Sequence, residues 1–109
     1  MGRSRIPTEE TECAVEATVA VIGGKWKPIL LFHMLGGPKR FSELQRLVPQ
    51  ASDRMLTRSL RELEADRLIL REIYAEVPVR VEYSLSKDGK SLIPILNAMS
   101  DWGGKRATH

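Results

Sequence analysis

One cysteine in 109 residues, Cys13, leaves nothing for an intrachain disulfide, and a reducing compartment suits such a chain best. No apolar run reaches membrane-spanning length. Residues 1–12 are polar and charged, which is not the pattern of a secretory signal, so the expected location is cytoplasmic. Aromatic residues are few, and the two tryptophans, Trp26 and Trp102, are expected in a core or an interface rather than as ligand stackers. His33 and His109 have no ligand spacing with Cys13, so no metal is expected. There is no Ser/His/Asp set, no evident carboxylate pair and no glycine-rich phosphate loop, so neither an enzyme nor a cofactor is expected.

What is present fits one globular domain: 42% of residues are hydrophobic and 28% charged. The positive charge is concentrated. Residues 39–61 carry six cations against Glu43 and Asp53, a net +4, whereas the whole chain is +3, leaving −1 elsewhere. Such a segment is the footprint expected of a nucleic-acid contact surface.

Local patterns suggest an order of elements. Residues 1–10 read as a flexible arm ahead of a single domain over 11–104. Val15, Val19 and Ile22 recur at helical spacing within 11–22, and Gly23-Gly24 ends that helix. A nearly all-apolar helix over 25–35 follows, with Pro28 tolerated in its first turn, and it should be central to the core. Ser42 with Gln45 resembles a capping box opening a short helix that Pro49 breaks. Ser52 is the expected N-cap of a longer helix over 53–66. Residues 41–66 are thus a helix-turn-helix candidate. Two extended stretches, 70–74 and 80–85, make a hairpin with a protruding tip. Ser86 caps a last helix over 87–102, ended by Gly103-Gly104. The fold class is mainly α with a β-hairpin wing: a winged helix-turn-helix with added N- and C-terminal helices.

On the helix 53–66, Met55, Leu56, Leu60 and Leu63 cluster on one side, while Arg54, Thr57, Arg58 and Arg61 fall at i, i+3, i+4 and i+7 on the other. Arginine can hydrogen-bond guanine in two places, and threonine can touch base edges or a thymine methyl. Early residues of a recognition helix reach the bases, so Ser52, Arg54, Thr57 and Arg58 are the base-reading candidates and Arg61 a phosphate ligand. Lys39, Arg40 and Ser42 at the mouth of the motif suit phosphate contact. Arg80 at the wing suits a minor-groove or phosphate contact, or is a plain edge-strand charge. A solvated arginine face paired with acids at i+3 or i+4 is the alternative, and the surrounding capped helix, turn and hairpin weigh against it. The expected partner is double-stranded DNA. A winged-helix module that binds an acidic protein without DNA is the competing function.

The stretches CAVEATVAVIGGKWKPILL, RFSELQRLVP, SDRMLTRSLRELEADRLI and VEYSLSKDGKSL, spanning residues 13–92, resemble in content and order the HxlR family of MarR-like winged-helix regulators. The resemblance implies a homodimer on a palindromic operator, repression or activation of a nearby gene, and sensing of electrophiles, oxidants or aldehydes through a cysteine at the position of Cys13. The chain departs from the pattern at Ala14 and Val79, where proline is common, at Arg67, where glycine is common, and at Val15, where some relatives carry a lysine that supports aldehyde crosslinking.

Cys13 itself is open to two readings. A nearby helix N-terminus favours a thiolate and a redox or electrophile sensor, while Glu9, Glu10, Glu12 and Glu16 oppose it and a small buried apolar residue is the bland alternative. Lacking a second cysteine, oxidation would yield a sulfenic acid, a mixed disulfide or a bridge between subunits. The terminal helices carry more apolar surface than one core needs. Val15, Val19, Leu92, Ile95, Leu96, Met99 and Trp102 are expected to pair across a two-fold axis in a homodimer. A pocket for a small-molecule effector between these helices and the DNA-binding helices has no location in the sequence.

Overall fold

Leucines at helical spacing decide where the helices meet. The computed structural model describes residues 6–107. In order it contains α1 (Glu9–Ile22), α2 (Lys27–His33) running into a 3-10 turn (Met34–Gly36), β1 (Lys39–Arg40), α3 (Phe41–Leu47), α4 (Asp53–Ala65), β2 (Ile69–Tyr74), β3 (Arg80–Leu85), α5 (Lys87–Lys90) and α6 (Ile93–Ala107). Leu30 and Leu31 of α2, Leu44 of α3, Leu56, Leu60 and Leu63 of α4 and Ile69 of β2 are fully buried together. Each such side chain contributes roughly 1.5–3 kcal/mol of transfer free energy. The architecture is a winged helix-turn-helix flanked by terminal helices, as the periodicity predicts. No helix among the described residues is long and apolar enough to cross a membrane.

The boundaries differ from expectation in ways with identifiable causes. Only residues 6–8 of the expected arm are described as irregular, and residues 1–5, like His109, lie outside the described residues. Glu9 and Glu10 are already helical because Thr8 and Thr11 cap α1 reciprocally: Thr11 N–H donates to Thr8 Oγ1 at 3.2 Å and Thr8 N–H to Thr11 Oγ1 at 2.8 Å. The last helix is two helices. Pro94 has no N–H, so the chain breaks after Lys90 and restarts with Pro94 in the first turn of α6. That helix then runs through Gly103-Gly104 to Ala107 instead of stopping there, and Arg106 lies over the Trp102 ring at 5.0 Å, one turn back.

The sheet has a third strand that the alternation pattern does not announce. Its order is β1-β3-β2, all antiparallel, with Lys39 and Arg40 opposite Tyr83 and Glu82. The wing base is closed by a tight corner. Arg67 takes a left-handed conformation, φ 61°, at the end of α4, which accounts for glycine being common there in the family it resembles. Ser86 Oγ donates to the Arg67 carbonyl at 2.6 Å and accepts from Gly89 N–H at 3.0 Å. A Cβ on Gly89 would stand 2.1 Å from the Leu68 carbonyl oxygen, so the corner admits only glycine without a backbone shift.

Candidate nucleic-acid interface

The joint between α3 and α4 is set by its own side chains. Glu43 accepts a hydrogen bond from Arg40 N–H at 2.8 Å, so α3 starts at Phe41 with Arg40 as its boundary. Ser42, expected as the N-cap, is instead an exposed residue in the first turn of α3: the glutamate, not Gln45, reaches back to close the helix end. Gln45 turns across the motif and donates to Asp53 Oδ1 at 2.6 Å, tying α3 to the start of α4. Ser52 caps α4 as expected, accepting from Met55 N–H at 3.1 Å.

From that cap, α4 runs unbroken over Asp53–Ala65. Its inward edge is Leu56, Ser59, Leu60 and Leu63. Met55, expected in the core, is exposed; it flanks the stripe, and the small Ser59 takes the inward position between Leu56 and Leu63. Arg54 and Arg61 are exposed, and Thr57 is half-buried between them. Arg54, Thr57, Arg58 and Arg61 line one surface recess, flanked by Asp53 and Glu62. A second recess, between α4 and the wing base, is lined by Thr57, Leu60, Arg61, Glu64, Arg71 and Tyr83. The outward cationic edge is therefore continuous from the helix start to the sheet.

Two further cations stand at this face, outside the α4 stripe. Arg71 of β2 reaches Glu64 of α4 at 3.6 Å. Its place opposite Tyr83 could have been read from the alternation Arg71, Ile73 against Leu70, Glu72, Tyr74. Lys27, at the start of α2, bonds Glu62 Oε1 at 3.1 Å, while Arg58 Nε bonds Glu62 Oε2 at 3.3 Å. The two cations, Lys27 first and then Arg58, hold the Glu62 carboxyl below its usual range. Nothing in the linear spacing connects position 27 to position 62.

Lys39 and Arg80 are placed differently from the other candidates. Lys39 is half-buried and donates Nζ to the Gly37 carbonyl at 3.1 Å, closing its own turn. Arg80 is drawn inward: it bonds Glu76 at 2.8 Å and also Glu82, and its guanidinium lies 3.9 Å from the Tyr74 ring centre. Arg80 pulls the Glu76 carboxyl below its usual range, and the charge of Glu72 pushes the Tyr74 hydroxyl up. Glu72 and Glu82 face each other across β2 and β3, and like charges in that position repel, so Arg80 is used within the wing to offset them. The tip beyond, Val77 and Val79, is exposed.

The terminal helices split into two faces. Leu92 and Leu96, expected at a subunit interface, are buried in the chain's own core. Ile95, Met99 and Trp102 form the neighbouring stripe of α6 and are exposed, as are Val15 and Val19 of α1. Ile29 and Phe32, assigned to the core by the apolar run of α2, also reach the surface. With Pro28, Leu96, Met99 and Ser100 they line an apolar recess between α2 and α6 of about 290 Å³. A short helix cannot bury all its sides, and the side away from α3 and α4 is left over. Cys13 is exposed on α1. Because α1 starts at Glu9, Cys13 lies in the second turn, past the free N–H groups of the helix end.

Residues 21–109 match the family described as HxlR-like helix-turn-helix. An HTH-type transcriptional regulator of Bacillus subtilis, YdeP, is 54% identical over 93 residues, covering 85% of this chain and 73% of its own. One from Methanothermobacter thermautotrophicus is 52% identical over 101 residues, covering 93% and 77% respectively. Among solved structures, the redox regulator HypR in its oxidized form superposes with a TM-score of 0.83 at 54% identity, covering 85% of this chain and 96% of that one.

Proposed function

Since the chain belongs to the HxlR-like helix-turn-helix family, and is thus a transcriptional regulator with a winged helix-turn-helix, we propose that it binds a palindromic DNA site as a homodimer and reads it with α4. The observation that carries this is the division of α4: one unbroken helix with Leu56, Leu60 and Leu63 buried and Arg54, Thr57, Arg58 and Arg61 outward. Laid in the major groove, Arg54, Thr57 and Arg58 face base edges, and Arg61 faces phosphate. Arg40 and Ser42 sit where phosphates pass the mouth of the motif, and Ser52, a base-reading candidate by sequence, is placed with them because its Oγ is engaged in capping α4. Lys39 and Arg80 are assigned to the turn and the wing instead: Lys39 Nζ closes its own turn, and Arg80 is enclosed by Glu76, Glu82 and the Tyr74 ring, unlike the outward Arg58. A dimer sets the two α4 helices about 34 Å apart, one turn of DNA.

The test is selection of duplexes from a random library, followed by titration at several salt concentrations. One palindromic duplex should be enriched and bound on the order of nanomolar, with log affinity falling against log salt at a slope of about −4 or steeper. Equal, weak binding to all duplexes would sink the proposal and leave the acidic-protein module as the reading.

The same regulator is proposed to sense oxidants or electrophiles through Cys13, an exposed thiol in a chain that resembles a redox regulator. With diamide, two thiols from two subunits would each lose a proton and together two electrons, forming a disulfide while diamide is reduced to its hydrazine. Expected is release of the selected duplex by diamide in wild type and none in Cys13→Ser. Release persisting in the variant would remove Cys13 from the mechanism.

A further inference from the structure

The acid inside the recognition helix has two cations, and they come from opposite directions. Glu62 stands one turn after Arg58 on α4. Its Oε2 accepts from Arg58 Nε at 3.3 Å and its Oε1 takes Lys27 Nζ at 3.1 Å. The Lys27 side chain is 15% exposed, fixed at the start of α2, whereas that of Arg58 is 77% exposed. An ordinary i, i+4 surface pair joins two mobile chains and holds neither. Here the carboxylate is anchored from the core side by a half-buried ammonium, and its other oxygen is aimed at the guanidinium.

We propose that Glu62, held by Lys27, is a positioning residue that orients Arg58 for base reading and so determines DNA specificity. This rests on the reading of α4 as the DNA-reading helix. The chemistry follows from the guanidinium. Its five N–H donors lie in one plane as a rigid fork. Bonding at Nε leaves the two terminal amino groups free, and these form an edge with two parallel donors. That edge matches the O6 and N7 acceptors of guanine. Fixing the arginine before DNA arrives removes ordering that binding would otherwise require. Lys27 has a separate effect. Alone, Glu62 would cancel the charge of Arg58 next to the phosphates; with Lys27, the trio keeps a net charge of +1. Arg54 and Arg61 have no ion-pair partner among the described residues, which suits adaptable contacts and leaves Arg58 as the preset one.

The experiment uses the duplex enriched by selection, a scrambled duplex of equal length, and full-length wild type, Glu62→Gln, Arg58→Ala and the double variant. Glu62→Gln removes a negative charge, so affinity for the scrambled duplex should hold or rise. Affinity for the selected duplex should fall, so that the ratio of the two drops about tenfold, the scale of one good two-point base contact. The effect should be concentrated at one base pair per half-site when each is substituted in turn. In the Arg58→Ala background, Glu62→Gln should no longer change the ratio, since a residue acting through Arg58 has nothing left to act on. Glu62 is partly exposed and outside the core, so folding checked by circular dichroism should be intact. A ratio that is unchanged or raised in Glu62→Gln, with the selected duplex still bound tightly by wild type, overturns this inference alone. A ratio that falls equally with and without Arg58 also overturns it, by making Glu62 structural. If no duplex is enriched at all, the regulator reading fails first and takes this one with it.

Discussion

Replacing Arg54 and Arg58 together by alanine should abolish selective DNA binding while leaving the protein folded. Both side chains project from α4 and neither takes part in the buried cluster. Alanine is the better helix former, so α4 has no reason to fray. A two-point arginine–guanine pairing is worth roughly 1–3 kcal/mol of discrimination, and a dimer presents each arginine twice. Removing all of these pairings brings the selected duplex down to the level of a scrambled one, a drop on the order of a thousandfold or more. Fluorescence anisotropy with both duplexes measures it, and circular dichroism checks the fold. The informative contrast is Arg61→Ala. A phosphate ligand carries charge but no sequence information, so that variant should weaken both duplexes alike and flatten the salt slope by about 0.9 for each phosphate no longer neutralised. If the double variant still prefers the selected duplex, the outward edge of α4 is not the reading surface.

This edge was readable because helical period converts directly into faces. Leu56, Leu60 and Leu63 alone place Arg54, Thr57, Arg58 and Arg61 on the far side, and the structure agrees. The same arithmetic is less secure at the flank of a stripe, where Met55 is exposed and Ser59 buried. It fails where contacts join distant positions. Lys27 meets Glu62 across thirty-five residues, and β1 pairs with β3 across more than forty; no local pattern encodes either. It also fails where several residues could fill one role. Ser42 is a good N-cap by type, yet Glu43 reaches the Arg40 amide and sets the helix start earlier. At the wing, a lone arginine beside a hairpin tip reads equally as a DNA ligand or as a plain edge-strand charge, and no local pattern foretells Glu76, Glu82 and Tyr74 around it.

Introducing acid on the outer stripe of α6 should separate the subunits of the proposed homodimer without unfolding them. Trp102, Met99 and Ile95 are 65%, 46% and 42% exposed in the single chain, a large apolar surface for a domain that leaves Val15 and Val19 of α1 uncovered as well. Ile95→Glu with Met99→Glu places two charges per subunit at the centre of any interface built on this stripe. Across a two-fold axis that becomes four, and burying unpaired charge costs several kcal/mol per group. Light scattering at micromolar concentration should then give the mass of one 12.3 kDa chain instead of two. Circular dichroism should show the separated subunit still folded, because the substituted side chains are partly solvated in it, while the thermal midpoint falls by what association contributed. Affinity for the palindromic duplex should fall by roughly a hundredfold or more, since each α4 would bind its half-site without the other's help. Leu96→Ala provides the opposite signature. Leu96 is 2% exposed and packs within its own chain, so its truncation should cost about 2–5 kcal/mol of folding stability without primarily changing the subunit count. A wild-type chain that is strictly monomeric at micromolar concentration would refute the pairing. A glutamate pair that leaves the dimer intact would move the interface off this stripe, towards the Ile29 and Phe32 side of α2.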